Sequence, residues 1–523
     1  MILTIEFSEG ENMNQKSRSY NSTVNAVVNI IAQFIILLIN FGTRKVFIVA
    51  FGENYLGISG LFSNVLSVLS LAELGVGSAI LYCLYKPIAE NDYDRINALI
   101  NYYKKLYRII GISVAVIGLL VVPFLGYLVN IDADIGNITL YYLLYLANIV
   151  ASYFLVYRTA ILTADQKNYV IKICTAIIQV VQFVVLTIIA LVFKNYTLYL
   201  ALHILFSILI NVVCSIIATI KYPFINGKNK IDNTEKKTIW ENIKAMFSYQ
   251  VGNVAINHTD NILISLLIST ITVGFYSNYS MVVSSVSVFT ALIFTSVQAS
   301  IGNLAAKENA ERQYEVFKKL SMISFCVTSF ATVSFITLFQ DFITLLYTDY
   351  YLLDFSVVIV CSLNFYIVNI LQPIYCYRNT VGLFNYTKRI MLYTAILNII
   401  LSIILGKFFG LFGILFATSI SRVLTNFWFE PIKLFKYYFN KSANEYFIEQ
   451  LLNVLFTILM ISALLLISFA INGINIYLRF AIKIVLCMII PLIVCCIRYR
   501  KDKIFTKAIK VCRKLIKTNK VKK

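Results

Sequence analysis

The sequence is poor in charged residues. Only 13% of its 523 residues are Asp, Glu, Lys or Arg, whereas 59% are apolar. A soluble globular chain usually carries about 25% charged and 45–50% apolar residues. This composition excludes a soluble enzyme, a nucleic-acid-binding protein and a disulfide scaffold. It predicts an all-α polytopic membrane protein.

Histidine and the sequence signatures of catalysis are also scarce. The only histidines are His203 and His258, which lie far apart in the sequence, so no metal site is expected. The sequence contains no G-x-x-x-x-G-K-[ST], no G-x-S-x-G and no H-E-x-x-H. Its ten cysteines show no paired C-x-x-C spacing, and we interpret them as small apolar residues. We therefore expect no cofactor and no enzymatic activity.

Long apolar runs are abundant instead. At about 20 residues per crossing, they predict about 14 membrane spans. Tight turns such as Phe408-Phe409-Gly410 separate some neighbouring spans, which leaves a count of about 12 or 13 open. The predicted spans are 25–50, 57–82, 106–130, 138–163, 170–193, 197–220, 248–271, 274–299, 320–343, 355–378, 388–408, 410–434, 448–471 and 476–498.

Basic residues predict the orientation of these spans. The formal net charge is +20, from 45 Lys and Arg against 25 Asp and Glu. With the N-terminus inside the cell, 36 Lys and Arg fall in inward-facing segments or at the inner ends of spans, and only Lys194 and Lys407 fall in outward-facing loops or at an outer span end. This asymmetry predicts a cell-membrane protein with both termini in the cytoplasm. The outer loops are short, so they offer no domain for catalysis.

The sequence contains an internal repeat. At an offset of 217 residues, Gly57 aligns with Gly274, and further on, at an offset of 220, Tyr157-Arg158 matches Tyr377-Arg378. The offset corresponds to six spans, an even number, so both halves have the same orientation in the membrane. A parallel repeat without a soluble domain predicts a two-lobed transporter whose substrate site lies between the lobes near the midplane. Serines that align at this offset are Ser63, Ser67 and Ser70 with Ser280, Ser284 and Ser287.

The repeat defines the predicted organisation of the chain. It comprises a cytoplasmic N-terminal segment 1–24, an N-lobe 25–221 (spans 1–6), a charged cytoplasmic linker 222–247, a C-lobe 248–436 (spans 7–12), spans 13–14 over 437–498 and a basic cytoplasmic tail 499–523. Residues 1–24 lack the apolar core of a signal peptide. Met13 is an alternative start, which would make residues 1–12 a dispensable extension.

A few charged residues lie inside the predicted spans, where a charge is costly and usually faces a cavity. Arg44 in span 1 and Arg422 midway along span 12 are candidates for contact with an anionic substrate. Arg158 and Arg378, about one turn from the cytoplasmic ends of spans 4 and 10, are candidates for an inward-facing vestibule. Snorkelling to the lipid headgroups is the alternative for this last pair.

Acidic residues suggest a further role in these spans. Asp260 in span 7 corresponds to Arg44 in span 1, so the two are expected to form an ion pair or to line opposite walls of a cavity. Asp260, Glu73 and Lys45 are also candidates for ion coupling. We interpret His258, close to Asp260, as a hydrogen-bonded structural residue rather than a proton relay.

The remaining intramembrane charges are expected to reach solvent. Lys172, Arg479 and Lys483 lie within snorkelling distance of a surface, and Glu430, before Pro431, is expected to be a solvated helix terminus. The charge in the spans is therefore mostly positive. Because the planar guanidinium of arginine suits phosphate, this predicts an anionic substrate such as a phosphate-bearing lipid.

Three stretches resemble a known family: Phe51–Ser78 (FGENYLGISGLFSNVLSVLSLAELGVGS), Tyr157–Tyr169 (YRTAILTADQKNY) and Arg422–Pro431 (RVLTNFWFEP). They resemble bacterial polysaccharide-biosynthesis flippases, the Wzx-type exporters of the multidrug/oligosaccharidyl-lipid/polysaccharide (MOP) superfamily. The resemblance extends over most of the chain and does not specify the glycan.

The resemblance implies two MATE-like lobes, a central cationic cavity and alternating access. The implied substrate is an undecaprenyl-pyrophosphate-linked oligosaccharide, moved to the outer leaflet for surface polysaccharide assembly. By position, Arg44, Arg158, Arg378 and Arg422 would contact its pyrophosphate or acidic sugars. Membrane lipids, a glycan polymerase and glycosyltransferases are the implied partners.

Two alternatives stay open. The first is a cation-coupled multidrug antiporter of the same superfamily. Its members often carry an acidic residue in span 1, where this sequence has Arg44-Lys45, although Asp260 and Glu73 leave ion coupling open. The second is a membrane glycan polymerase, a class that usually needs a sizeable outer loop.

Overall fold

The computed structural model describes residues 13–70, 76–131, 135–307, 309–381 and 383–500, and these are almost entirely helical. The α-helices of the described residues are α1 Met13–Leu69, α2 Val76–Glu90, α3 Tyr93–Val121, α4 Leu125–Leu128, α5 Ile138–Tyr153, α6 Ala160–Ala164, α7 Asn168–Ile188, α8 Tyr196–Lys221, α9 Asn233–Leu267, α10 Thr270–Lys307, α11 Ala310–Tyr347, α12 Phe355–Ile370, α13 Gln372–Val381, α14 Phe384–Leu424, α15 Asn426–Leu434, α16 Asn444–Ala470 and α17 Ile476–Arg498.

Short polar side chains mark where several helices begin. Asn137 accepts a hydrogen bond from the backbone of Leu140 at the start of α5, and Asn195 does the same from Leu198 at the start of α8. Asn309 caps α11 in this way. Such caps satisfy backbone N–H groups that the first helical turn leaves without a partner. They explain why the apolar runs become separate helices at these positions.

The fold is that of a multi-pass membrane protein, as the composition predicts. Within the described residues, 11 helical stretches are long and apolar enough to cross a membrane. Val28–Leu69 and Arg389–Phe439 are 42 and 51 residues long, about twice the length that one crossing needs. The predicted span 248–271 lies in α9, which is not among the 11, so the exact number of spans stays a prediction.

Glycines interrupt the two longest stretches. Gly52 in α1 has a φ of 78°, and Gly410 in α14 has a φ of 58°. Glycine adopts this left-handed region without the steric cost that a Cβ atom imposes. Each break falls at the boundary between two predicted spans, and Gly410 is the glycine of the predicted Phe408–Gly410 turn.

The chain forms two compact units, Met1–Gly274 and Phe275–Lys523. In the first, unit 1, α1 packs on α7 and α9, while α5 and α7 both pack on α8. Helix α9 thus belongs to unit 1. The predicted lobe boundary in the segment 222–247 stays a prediction. In unit 2, α11 packs on α12, α16 and α17, and α12 packs on α14. The unit 2 core includes Phe317, whose ring lies 5.5 Å from Phe435.

Three interruptions of the helices lie near predicted site residues. The first follows α5, where the chain passes from Phe154 through the 3-10 turn Val156–Arg158. The second is at Leu371, between α12 and α13, and the third is at Thr425, between α14 and α15. Irregular backbone at membrane depth is tolerated only where protein covers it or where it lines a cavity. Arg158 lies in the first interruption, Arg378 in α13, and Arg422 about one turn before Thr425.

Candidate functional site

Arg44 lies on a face of α1 that packs against aromatic side chains of unit 1. Phe47, three residues further along, has its ring centroid 5.9 Å from that of Tyr196 and 5.7 Å from that of Tyr199. Arg44 is half-buried and interacts electrostatically with the hydroxyl groups of Tyr145 and Tyr199. The helix periodicity places Arg44 and Phe47 on the same side. Arg44 therefore faces the interior of unit 1.

Hydroxyl groups surround this arginine. Tyr145 donates a hydrogen bond of 2.8 Å to Ser59, and its oxygen lies 3.3 Å from the hydroxyl of Tyr196. Tyrosine hydroxyls can donate to an anion, and a guanidinium supplies the opposite charge. The arrangement can therefore hold an anionic group. Lys45, the next residue, is exposed.

Asp260 lies on α9 and is almost fully buried, with 7% of its surface exposed. Two residues earlier, His258 Nδ1 lies 2.9 Å from Asn64 Oδ1 of α1. This contact confirms that His258 is hydrogen-bonded. The pairing of Asp260 with Arg44 stays a prediction, and Glu73 lies outside the described residues.

Arg158 has only neutral hydrogen-bond partners among the residues that the structure describes. Its Nε donates to the Tyr157 hydroxyl and its Nη1 donates to the Thr219 hydroxyl, both at 3.1 Å. None of the described carboxylates lies within salt-bridge distance of it. The guanidinium is half-buried and lines a cavity of about 870 Å³ in unit 1. Its charge is therefore available to an anion in that cavity.

Arg378 has a different environment, although it matches Arg158 in the repeat. Its Nη1 donates to both carboxylate oxygens of Glu430, at 2.9 and 2.8 Å. Its Nε and Nη2 donate to Asn379 Oδ1 at 3.2 and 3.0 Å, and its guanidinium lies 4.9 Å from the Tyr375 ring centroid. The two charged side chains are 3% and 1% exposed. These contacts favour a structural role for Arg378 over substrate contact.

The prediction of a solvated Glu430 is therefore wrong. The preceding break at Thr425 separates α15 from α14, and Glu430 lies in α15 facing Arg378 of α13. A buried carboxylate needs a paired cation, because an isolated charge cannot be removed from water at tolerable cost. Glu430 and Arg378 meet this requirement for each other.

Arg422 lies near the end of α14 and is half-buried. The break that follows it is held by hydroxyl and amide side chains. Thr394 Oγ1 lies 2.7 Å from Thr425 Oγ1 and donates to Asn426 Oδ1 at 3.0 Å. Arg422 therefore adjoins a polar segment inside unit 2, and its position beside a cavity stays a prediction.

The sequence analysis missed a second buried ion cluster in unit 2. Asp341 of α11, which is 5% exposed, accepts from Arg479 Nη2 at 2.6 Å and from Lys483 Nζ at 2.7 Å. The prediction that Lys483 snorkels to a surface is therefore wrong, whereas Arg479 stays partly exposed. A signal was present, because Asp341 is an acidic residue within predicted span 9.

Arg44 and Arg158 of unit 1 have separate surroundings. The helix that carries Tyr145, beside Arg44, ends at Tyr153, and Arg158 lies in the 3-10 turn that follows. Arg378 is neutralised by Glu430 within unit 2.

The apolar helices define a multi-pass membrane protein, and its fold is MATE-like. No protein-family model and no curated protein matches the sequence. Solved structures do match, and three of them show the class of fold.

The structure of "Lipid II flippase MurJ, inward closed conformation" matches with a TM-score of 0.65 and 17% identity, over 91% of this chain and 98% of that chain. An inward-facing multidrug resistance MATE family transporter of the MOP superfamily matches with a TM-score of 0.59 and 15% identity, over 76% and 96% of the two chains. A mutant of the Vibrio cholerae MATE transporter VcmN matches with a TM-score of 0.57 and 14% identity, over 78% and 95%.

Proposed function

We propose that this protein is a flippase for a lipid-linked oligosaccharide of the undecaprenyl-pyrophosphate type. It moves the substrate from the inner to the outer leaflet of the bacterial cell membrane. The observation that carries the proposal is the positive charge of Arg44 and Arg158, both half-buried in unit 1. The likeness in fold to MurJ, which is described as a lipid II flippase, supports it.

The arginines have successive roles in this proposal. Arg158 meets the diphosphate near the cytoplasmic side, and Arg44 and Arg422 hold it nearer the midplane. A guanidinium can donate two parallel hydrogen bonds to a phosphate, and these bonds are stronger at a water-poor site. The polyprenyl chain stays in the lipid while alternating access exposes the headgroup to the other side.

Arg378 has a structural role in this mechanism. Its ion pair with Glu430 joins α13 to α15, next to two interruptions of the membrane helices. Removal of either side chain would leave the other buried charge without its partner. We therefore separate Arg378 from the substrate-binding arginines.

A cation-coupled multidrug antiporter is the second candidate function. The burial of the Asp260 carboxylate favours it, since an acidic residue inside a membrane protein can bind the coupling ion. The MATE transporters among the similar structures support it as well.

A deletion strain of the source bacterium separates the two functions. The flippase proposal expects loss of surface polysaccharide, accumulation of the lipid-linked precursor and unchanged drug sensitivity. In the cell, glycosyltransferases would supply this precursor and a polymerase would consume it. Drug sensitivity with normal surface polysaccharide would favour the antiporter and contradict the flippase.

The variants Arg44→Ala and Arg422→Ala test the binding residues in the same strain. Both are expected to fail to restore surface polysaccharide at normal protein abundance. Arg108→Ala is the matched control, since this exposed arginine of unit 1 has no proposed part in transport.

A further inference from the structure

Unit 1 contains a cavity whose lining is strongly cationic. It has a volume of about 870 Å³ and lies between α3, the 3-10 turn with Arg158, the segment that follows α8 and the start of α9. Its lining includes six cations and no carboxylate side chain. The cationic residues are Lys104, Lys105, Arg158, Lys228, Lys230 and Lys236.

The loop that carries two of these lysines is held in place by buried amides of α3. Asn97, which is 2% exposed, donates to the Phe224 carbonyl at 2.9 Å and accepts from the Asn229 backbone at 3.0 Å. Asn101 donates to the carbonyl of Gly227 at 2.8 Å. A Cβ atom at Gly227 would lie 2.9 Å from Asn97 Oδ1, so glycine permits this close approach. Lys228 and Lys230 thus project from a fixed loop.

The acidic side chains around this loop already have partners. Glu235 accepts from Arg95 Nε and Nη2 at 3.1 and 2.9 Å, and Asp94 accepts from Asn229 Nδ2 at 2.8 Å. The Thr234 hydroxyl donates to Asp232 and lowers the pKa of that carboxyl. Among the described residues, no carboxylate lies within salt-bridge distance of any of the six cations.

Six like charges around one cavity repel one another unless an anion neutralises them. A volume of about 870 Å³ is in the range of small-molecule sites and exceeds what a single phosphate fills. Tyr102, Tyr157 and Trp240 add aromatic surface, and Ile109 adds an exposed apolar side chain. The lining therefore suits an anion of several charges that is joined to a larger group.

We propose that this cavity is a binding site for a diphosphate ester, carried either by a lipid headgroup or by a soluble molecule. Arg158 and the surrounding lysines bind the phosphate oxygens, and the aromatic side chains contact the attached group. The inference rests on the proposed function only through Arg158, because the five lysines have no part in the transport path described above.

Trp240 makes binding measurable in the full-length protein. The chain has two tryptophans, and Trp428→Phe leaves Trp240 as the single fluorescent reporter in the cavity. The protein is placed in nanodiscs of phosphatidylcholine, and inorganic pyrophosphate is titrated. In a second arm, the nanodiscs contain geranylgeranyl diphosphate, a lipid with a diphosphate ester headgroup.

The double variant Lys228→Gln, Lys230→Gln is the test, and Lys237→Gln is the matched control from the same segment. A charge-assisted hydrogen bond corresponds to about tenfold to a hundredfold in affinity. We expect at least tenfold weaker binding in the double variant and unchanged binding in the control. A response to pyrophosphate in neutral nanodiscs indicates a soluble ligand. A response to geranylgeranyl diphosphate, together with loss of the response to pyrophosphate, indicates a lipid headgroup.

The inference is overturned if wild-type protein responds to neither probe. It is also overturned if the double variant, with an unchanged melting temperature, responds like wild type. Lipid translocation by a protein that binds neither probe would remove this site and leave the proposed function intact. Binding of a probe by a protein that does not translocate lipid would support this site and contradict the proposed function.

Discussion

Arg378 and Glu430 form a buried ion pair between α13 and α15, with one guanidinium nitrogen donating to both carboxylate oxygens. The corresponding arginine of the repeat, Arg158, bonds only to the hydroxyl groups of Tyr157 and Thr219 among the described residues. Two arginines that look equivalent in the sequence therefore differ in the charge they can offer. This difference separates a structural residue from a candidate ligand-binding residue.

Removal of one partner of the Arg378–Glu430 pair is expected to destabilise the protein. Arg378→Met leaves the Glu430 carboxylate buried without its cation, which costs about 3–5 kcal/mol of unfolding free energy. The melting temperature of the purified protein and its abundance in the membrane measure the effect. The double variant Arg378→Met, Glu430→Leu is expected to recover most of the loss. A stable Arg378→Met protein that fails to transport would contradict the structural role.

Gly57 and Gly274, aligned by the repeat, lie against each other in unit 1. A Cβ atom at Gly274 would lie 2.8 Å from the Gly57 nitrogen, and one at Gly57 would overlap the Thr270 carbonyl. We expect Gly57→Ala to lower the unfolding free energy by about 1–3 kcal/mol through overpacking. Thermal unfolding checks this, with Gly126→Ala as the control because open space surrounds that position. Equal melting temperatures for the two variants would show that no such close contact exists.

Asp341 holds two cations, Arg479 and Lys483, in the packing of α11 against α17. Asp341→Asn keeps the shape of the side chain but leaves both cations without their carboxylate. We expect a loss of about 3–5 kcal/mol, as for other broken buried pairs. Since Asp341 is not among the proposed substrate-binding residues, the protein that does fold should keep its translocation rate per molecule. A lower rate per folded molecule would refute that separation.

Asp260 is the residue of α9 that we expect to couple transport to an ion gradient. Its carboxylate is nearly buried, and a carboxylate inside a membrane protein can exchange a proton or bind a cation. Asp260→Asn should abolish the acceleration of translocation by an imposed proton or sodium gradient. Asp354→Asn, which alters an exposed carboxylate, is the control. If the gradient still accelerates translocation by Asp260→Asn, a different residue couples transport to the ion.

The sequence predicts the features that depend on composition and periodicity. Apolar runs indicate the membrane helices, and Gly410 falls at the predicted turn. The repeat aligns Gly57 with Gly274, although it does not indicate that these two residues touch. The interrupted helices near Arg158 and Arg422 carry no comparable signal, because neither break contains a glycine or a proline.

Contacts between distant helices could not be predicted in the same way. Glu430 precedes a proline, which is typical of a helix end, and its partner Arg378 lies 52 residues away. Lys483 is 142 residues from Asp341. The charges of the segment 222–247 are typical of a solvated linker, yet the amide of Asn97 fixes part of it against α3.

The central claim is that the protein moves a diphosphate-linked lipid across the membrane and that half-buried arginines bind the diphosphate. The most direct measurement follows a fluorescent undecaprenyl-pyrophosphate-linked sugar in proteoliposomes, with a membrane-impermeant quencher that reports its leaflet. Wild-type protein and Arg108→Ala should move the lipid, whereas Arg44→Ala and Arg422→Ala should slow its movement by about tenfold to a hundredfold. Equal rates in empty liposomes and wild-type proteoliposomes, or unchanged rates in both arginine variants, would contradict the account.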